Sequence, residues 1–224
     1  MLCSFRTKQQ YLQVAKGLCY ACSYDKWVLG FTFLTRICFQ LTNRCISFQI
    51  GPGTGIAPML GFLQALAKAL SEGMKLGHCM VFFGCRAEND FLHSAQMRKW
   101  ADMGVISDLL VAFSRLPGRP RQYVQHVVDQ HRDAVWDMLS SDNIHYYICG
   151  DSMMAEDVFD ELKTTAKDVG GLSHIESVEF FRKMKKERQF QAGTWGVVTK
   201  RDVNLTKVVE KKYNQAEAWL KNFY

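Results

Sequence analysis

A glycine-rich stretch in the first half of the chain has the residue types of a phosphate-binding loop. It runs from Gly51 through Gly55 and separates a short apolar run from apolar residues at helical spacing. Glycine lets the backbone approach a phosphate closely, and the N-terminus of a following helix offers unpaired N–H groups and the positive end of the helix dipole. Pro58 suits the first turn of such a helix, where no N–H is required. A tight turn without a ligand is the alternative.

A hydroxyl, guanidinium groups and a phenol stand close together in the middle of the chain. They are Ser114, Arg115, Arg121 and Tyr123, with Arg119 between them. Such groups make charge-assisted hydrogen bonds to a phosphate dianion, and a guanidinium also stacks on a purine ring. Taken alone, a solvated basic loop is the more common explanation of such a cluster.

Three later residues have types that could face a reacting ring. Cys149 and Asp151 flank a glycine at the end of an apolar run, where a thiol could face the ring and a carboxylate could accept hydrogen bonds from ligand hydroxyls. Trp195 could stack on a flavin. A buried small thiol and ordinary core packing are the respective alternatives.

Apolar runs and helical periodicities alternate along the region that carries these motifs. Strands are predicted at 46–50, 79–83, 109–113, 146–149 and 190–195. Helices are predicted from about 59 to 70 and at 91–103, 127–139, 158–166 and 175–186.

Strands that alternate with helices predict an α/β domain with a three-layer, open parallel sheet. Ligands of such sheets bind beyond the carboxyl ends of the strands, and each motif above follows a predicted strand. We therefore divide the chain into a segment of unclear structure (1–45), an α/β domain (46–196) and a C-terminal extension, 197–224, with helical periodicity.

Composition narrows the class of protein. The 224 residues are 48% hydrophobic with a formal charge of +6, which suits an anionic small ligand or an acidic partner and gives no Lys/Arg run dense enough for nucleic acid. One CxxC pair, Cys19 and Cys22, has no second pair at zinc-site spacing, so we predict no metal site. Scattered cysteines in apolar runs indicate reduced thiols and a cytoplasmic protein. The apolar run 27–35 is too short to span a membrane.

Read together, the motifs resemble those of the NADPH-binding domain of the diflavin reductases, most closely the branch that serves cytochromes P-450. The matching stretches are GPGTGIAP at 51–58, FFGCR at 82–86, AFSR at 112–115, YVQH at 123–126 and YICGD at 147–151, followed by Trp195. The resemblance covers about 46–196 and implies the ferredoxin-reductase type of NADP-binding fold.

The resemblance also implies roles for individual residues. Gly53 and Thr54 would hold the pyrophosphate of NADP(H), and Cys149 and Asp151 would line the nicotinamide and assist hydride transfer to N5 of FAD. Trp195 would cover the flavin ring until the nicotinamide displaces it. The 2′-phosphate would be bound by Ser114, Arg115, Arg121 and Tyr123, where Arg121 replaces the family's usual lysine. Further cofactor-binding positions are Gly55, Cys85, Arg86, Gln125 and Met154.

The implied reaction is hydride transfer from NADPH to FAD, with electrons passed through FMN to a haem protein. The FAD and FMN domains would be partner domains or chains, because residues 1–45 lack the family's flavin motifs and are too short for a flavin barrel. FAD is therefore expected in the complete enzyme and not in this chain alone. Gly193 also stands where relatives have an acidic residue. If the domain is part of a longer anchored protein, it would lie at the endoplasmic reticulum surface. The alternatives are the diflavin reductase of iron–sulfur assembly and a non-catalytic NADP(H)-binding module.

Overall fold

A computed structural model describes residues 46–196 of the chain. Five strands form its sheet: β1 (Ile46–Ile50), β2 (Cys79–Cys85), β3 (Asp108–Phe113), β4 (Ile144–Asp151) and β5 (Phe190–Trp195). The helices are α1 (Ile56–Ser71), α2 (Ser94–Asp102), α3 (Val124–Gln130), α4 (Arg132–Leu139), α5 (Ser152–Asp168) and α6 (His174–Lys186), with short 3₁₀ turns at Gly53–Gly55 and Glu88–Asp90. The predicted extensions, 1–45 and 197–224, lie outside the described residues.

All neighbouring strands pair in parallel, in the order β3-β2-β1-β4-β5. The chain first winds outward from β1 to β3 and then crosses back to place β4 on the other side of β1. The strand order therefore reverses between β1 and β4, and ligands of open parallel sheets bind beyond the carboxyl ends of the strands near such a reversal. The α/β class and the open parallel sheet predicted from the sequence are confirmed.

Alternate residues of each strand feed two separate cores, one on each face of the sheet. Phe48, Phe82 and Tyr146 are fully buried under the four helices α3–α6. Phe83 and Tyr147 are fully buried on the opposite face, under α1 and α2. Because both faces are covered, most residues of the central strands are buried and apolar, but β1 also buries the polar side chains of Ser47 and Gln49.

Three predicted helices differ from the structure. The helix predicted at 158–166 spans Ser152–Asp168, because it begins directly after β4, where the Asp151 side chain caps its first turn. The helix predicted at 127–139 is two helices that meet at His131, whose ring Nδ1 lies 2.9 Å from the Val127 carbonyl oxygen while its own N–H bonds Val128. The side chain thus occupies the carbonyl that a continuous helix would give to the His131 N–H. The helix predicted at 91–103 begins only at Ser94, because His93 has a left-handed backbone (φ 57°).

Candidate functional site

A cavity of about 420 Å³ opens at the carboxyl ends of β1, β2 and β3, on the α3–α6 face of the sheet. Most of the predicted cofactor-binding residues line it. These lining residues are Gly53, Cys85, Arg86, Ser114, Tyr123, Gln125 and Met154. The cavity therefore brings together predicted residues from the carboxyl ends of β1, β2 and β3 and from the amino ends of α3 and α5.

The glycine loop is held against the sheet by backbone contacts. The Gly51 N–H donates to the Phe82 carbonyl at 3.0 Å, and Gly53 adopts a left-handed backbone (φ 55°) that turns the chain into α1. A Cβ atom on Gly53 would meet no atom within 4 Å, so its backbone faces open space where a ligand can come close. Thr54 beside it is exposed and does not line the cavity.

Gly55 occupies the point where this loop touches β4. A Cβ atom there would lie 2.0 Å from the carbonyl oxygen of Cys149, which leaves room for a hydrogen atom only. The third glycine therefore packs the loop directly against the backbone of β4. The glycine loop thus extends from the cavity, which Gly53 lines, to the Cys149 carbonyl, which Gly55 contacts.

The loop after β3 is fixed by the loop after β2. The Ser114 N–H donates to the Cys85 carbonyl at 2.9 Å, and the Arg115 N–H donates to the Arg86 carbonyl at 2.8 Å. This pairing continues the β2–β3 ladder beyond both strands and holds the Ser114 hydroxyl at the cavity. Arg115 and Arg121 are exposed and stand beside the cavity without lining it.

Cys85 is the thiol that lines this cavity. It is half-buried, and its Sγ lies 3.4 Å from the Ala87 carbonyl oxygen. Burial, and next the charge of Asp90, raise the pKa of Cys85 to about 11. The thiol is thus protonated at neutral pH and serves as a polarisable contact surface.

Gln125 and Asp157 form a hydrogen-bonded pair at the cavity wall. The Gln125 amide donates through Nε2 to the Asp157 carboxylate at 3.2 Å, and both residues line the cavity. Sequence reasoning missed Asp157. Its position three residues after Met154 places the two side chains on one helix face, and that spacing could have identified it.

The three residues predicted to face a reacting ring meet at a second place, on the β4–β5 edge. Cys149 pairs in register with Gly193, and Asp151 pairs with Trp195. Cys149 packs against the α1–α2 core and is half-buried, and Trp195 is 40% exposed. The strand register therefore puts a thiol and an indole on neighbouring strands at the carboxyl end of the sheet.

Asp151 has a structural contact that its sequence motif did not suggest. Its carboxylate accepts hydrogen bonds from the Met153 N–H at 2.9 Å and the Met154 N–H at 3.4 Å, so it caps the N-terminus of α5. Asp151 is also exposed. It thus positions the start of the helix that carries Met154 and Asp157 into the cavity.

Within the described range 46–196, no group of three or more histidine, cysteine or acidic side chains is arranged to hold a metal ion. In the same range, none of the helices has the combination of length and apolar character needed to cross a membrane.

Comparison with known proteins places this architecture in a family. The family of oxidoreductase NAD-binding domains matches residues 49–160. The chain is similar to the NADPH–cytochrome P450 reductases of Drosophila melanogaster (34% identical over 167 residues), Cavia porcellus (32% over 162) and Homo sapiens (31% over 162). These matches cover 71–73% of this chain and 23–24% of each relative, so the chain spans about a quarter of the length of those proteins. The chain belongs to the family of oxidoreductase NAD-binding domains, and within that family it resembles the NADPH–cytochrome P450 reductases.

Proposed function

We propose that residues 46–196 bind NADPH and present its nicotinamide to FAD in a flavin-dependent oxidoreductase, whose electrons pass onward to a haem protein such as a cytochrome P-450. One observation carries this proposal. The cavity at the carboxyl ends of β1, β2 and β3 joins the glycine-rich loop, the loop of Ser114 and Arg115, and the amino end of α5. Those are the parts that a phosphorylated dinucleotide requires of a parallel sheet.

The cavity residues fit NADP(H) in their chemistry. Gly53 and Thr54 would hold the pyrophosphate beside the N-terminus of α1, where backbone N–H groups are available. Ser114 and Tyr123 would hydrogen-bond the 2′-phosphate, and the exposed Arg115 and Arg121 would pair with its charge. Further contacts to the nucleotide are assigned to Gly55, Cys85, Arg86, Gln125 and Met154, and Asp157 joins this set.

The nicotinamide is assigned to the β4–β5 edge. When bound, NADPH supplies a hydride and FAD accepts it. Cys149 would contact the nicotinamide from β4. Trp195 would cover the reacting face of the flavin ring from β5 until the nicotinamide takes its place. Asp151 would accept a hydrogen bond from a hydroxyl of the ligand at the same edge, while its contact with the Met153 N–H keeps α5 in position.

Flavin binding is assigned to FAD- and FMN-binding domains or chains. Among the described residues, Trp195 offers one aromatic surface to a flavin ring. We place the domain in the cytoplasm, or at the endoplasmic reticulum surface if it belongs to a longer anchored protein. The segments 1–45 and 197–224 are proposed to lie outside the nucleotide-binding domain.

Calorimetric titration with NADP and NAD tests the proposal. Each charge-assisted hydrogen bond to the 2′-phosphate contributes about 1.5–3 kcal/mol, so two such bonds imply roughly a hundredfold preference for NADP. Arg115→Ala should remove much of this preference and leave NAD affinity nearly unchanged.

Arg119→Ala is the matched control, because Arg119 is an exposed arginine of the same loop with no assigned contact. It should lower NADP affinity far less than Arg115→Ala. Equal affinity of the wild-type chain for the two nucleotides would contradict the proposal. An equal loss of NADP affinity in Arg115→Ala and Arg119→Ala would also contradict it, because it would indicate a general electrostatic attraction.

A further inference from the structure

The amino end of α3 forms one wall of the nucleotide cavity. Gln122, Tyr123, Val124 and Gln125 line the cavity in succession. Tyr123 is the residue directly before the helix, with an extended backbone (φ −115°, ψ 167°), and it is 44% exposed. An exposed tyrosine side chain can adopt several rotamers, so its contact with a ligand depends on what holds the residue in place.

His126, the third residue of α3, contacts Tyr123 through its backbone and through its ring. The Tyr123 N–H donates to the His126 ring Nδ1 at 3.2 Å, and the His126 N–H donates to the Tyr123 carbonyl at 3.0 Å. The centroids of the two rings are 5.7 Å apart, with the rings inclined at 57°. His126 is exposed and does not line the cavity, so it acts on a ligand there through Tyr123.

The hydrogen bond to the His126 ring fixes the point at which the chain enters α3. A side chain at the third position of a helix that accepts from the N–H of the residue before the helix forms half of a capping box, where glutamate or glutamine is the usual acceptor. Since a backbone N–H can only donate, the Nδ1 of His126 must accept, and the ring carries its proton on Nε2.

The polar neighbours of Tyr123 in the cavity wall are held by other partners. Gln122 donates through Nε2 to the Gln130 side-chain oxygen at 2.8 Å, and Gln125 donates to Asp157 at 3.2 Å. The Gln122 N–H also donates to the carbonyl of Phe113, the last residue of β3, at 3.1 Å. Replacing His126 should therefore loosen Tyr123 and leave the rest of the wall in place.

We propose that His126 is a positioning residue for nucleotide selectivity, because its ring holds Tyr123 where the phenol meets the 2′-phosphate of NADP. The inference rests on the proposed function, which assigns Tyr123 to that phosphate. A side chain that is already in place costs less to order when the ligand binds. A nucleotide without a 2′-phosphate makes no use of the phenol, so His126 should affect its binding little.

The test uses 2′,5′-ADP and 5′-AMP, which differ by the 2′-phosphate, in calorimetric titrations of the 224-residue chain. His126→Ala should raise the Kd for 2′,5′-ADP about threefold or more, because ordering one side chain costs a factor of about 2–12 in affinity, and should change the Kd for 5′-AMP less than about twofold. His126→Gln should restore most of the lost affinity, because glutamine at this position supplies the acceptor again.

His174→Ala is the matched control, since His174 is an exposed histidine in the first turn of α6 and does not line the cavity. It should leave both Kd values unchanged, and circular dichroism checks that each variant is folded. The inference would be overturned by an unchanged Kd for 2′,5′-ADP in His126→Ala, by equal losses in His126→Ala and His126→Gln, or by an equal loss for both nucleotides.

The wild-type chain separates this inference from the proposed function. A wild-type chain that binds 2′,5′-ADP no better than 5′-AMP would contradict the proposed function, and the inference with it. A wild-type preference for 2′,5′-ADP that persists in His126→Ala would contradict the inference alone.

Discussion

Gly55→Ala is expected to separate the glycine loop from β4, because no side chain fits at that contact. The backbone of Gly55 is ordinary (φ −62°, ψ −15°), so alanine can adopt it without strain. The new Cβ, however, would stand 2.0 Å from the Cys149 carbonyl oxygen, and a backbone oxygen cannot rotate away as a side chain can. The loop or the strand must therefore move by more than about 1 Å to restore ordinary contact.

The expected cost follows from two opposing effects. Forcing an extra carbon into a closely packed site costs typically about 1–3 kcal/mol, and occasionally more. Replacing glycine by alanine stabilises by about 0.4–1 kcal/mol through the unfolded chain. A net loss of about 1.3 kcal/mol corresponds to a fall in Tm of roughly 3–5 °C for a domain of this size.

Thermal circular dichroism and calorimetric titration with NADP measure the two consequences. Gly73→Ala is the control. Gly73 lies just after α1 and has a left-handed backbone (φ 82°), and a Cβ atom there would meet no atom within 4 Å. The control should lower Tm through backbone strain and leave NADP affinity unchanged. Gly55→Ala should lower both Tm and NADP affinity, the latter by about tenfold if displacement of the loop costs 1.4 kcal/mol of binding. Wild-type Tm and affinity in Gly55→Ala would refute the contact between the loop and β4.

Four further predictions concern the cofactor site. With a flavin domain supplied, Cys149→Ala should slow flavin reduction in stopped flow and leave the NADP Kd within a few-fold, whereas lost affinity at an unchanged rate would reverse that role. Asp151→Ala removes the α5 cap and should lower the free energy of unfolding by about 0.5–2 kcal/mol in urea titrations; an unchanged midpoint would show that the cap contributes nothing. Iodoacetamide should alkylate Cys85 slowly at pH 8 and faster as the pH approaches its pKa of about 11, because only the thiolate reacts, and NADP should protect it; fast labelling at pH 8 or unprotected labelling would contradict this. The purified chain should bind NADP but carry no flavin and show only background NADPH oxidation with cytochrome c, because positioning of donor and acceptor contributes about 7–11 kcal/mol to such a step; stoichiometric FAD in its absorbance spectrum would refute this.

The strands of the sheet, and the carboxyl edge that carries the site, could be predicted because residues that are neighbours in the sequence mark them. A buried parallel strand is a short apolar run, and a chain that then turns at glycine or serine marks the carboxyl end of that strand. The strand 190–195 was predicted with the bounds that the structure gives. The interruption at His131 was not predictable from periodicity, because apolar spacing continues through 127–139 while a single ring nitrogen redirects the backbone hydrogen bonds.

Contacts between distant segments were the part that the sequence could not supply. Gly55 and Cys149 each stood in a motif, but their contact depends on the crossover that places β4 beside β1. The role of Asp151 was hidden for a different reason. A carboxylate at the end of a strand serves equally well as a ligand contact or as a helix cap, and the N–H groups of Met153 and Met154 that donate to it identify the cap.

The two groups of site residues lie on opposite sides of the sheet edge, and this constrains how a dinucleotide can bind. Met154 belongs to the core under α3–α6, whereas Cys149 belongs to the core under α1 and α2. A nucleotide whose adenosine half occupies the cavity must therefore cross the carboxyl edge of the sheet to bring its nicotinamide to Cys149. The glycine loop is the element that spans this crossing, since Gly53 lines the cavity and Gly55 touches the Cys149 carbonyl. The pyrophosphate links the two halves of the dinucleotide, so we expect it to be the part of the ligand that lies beside the glycine loop.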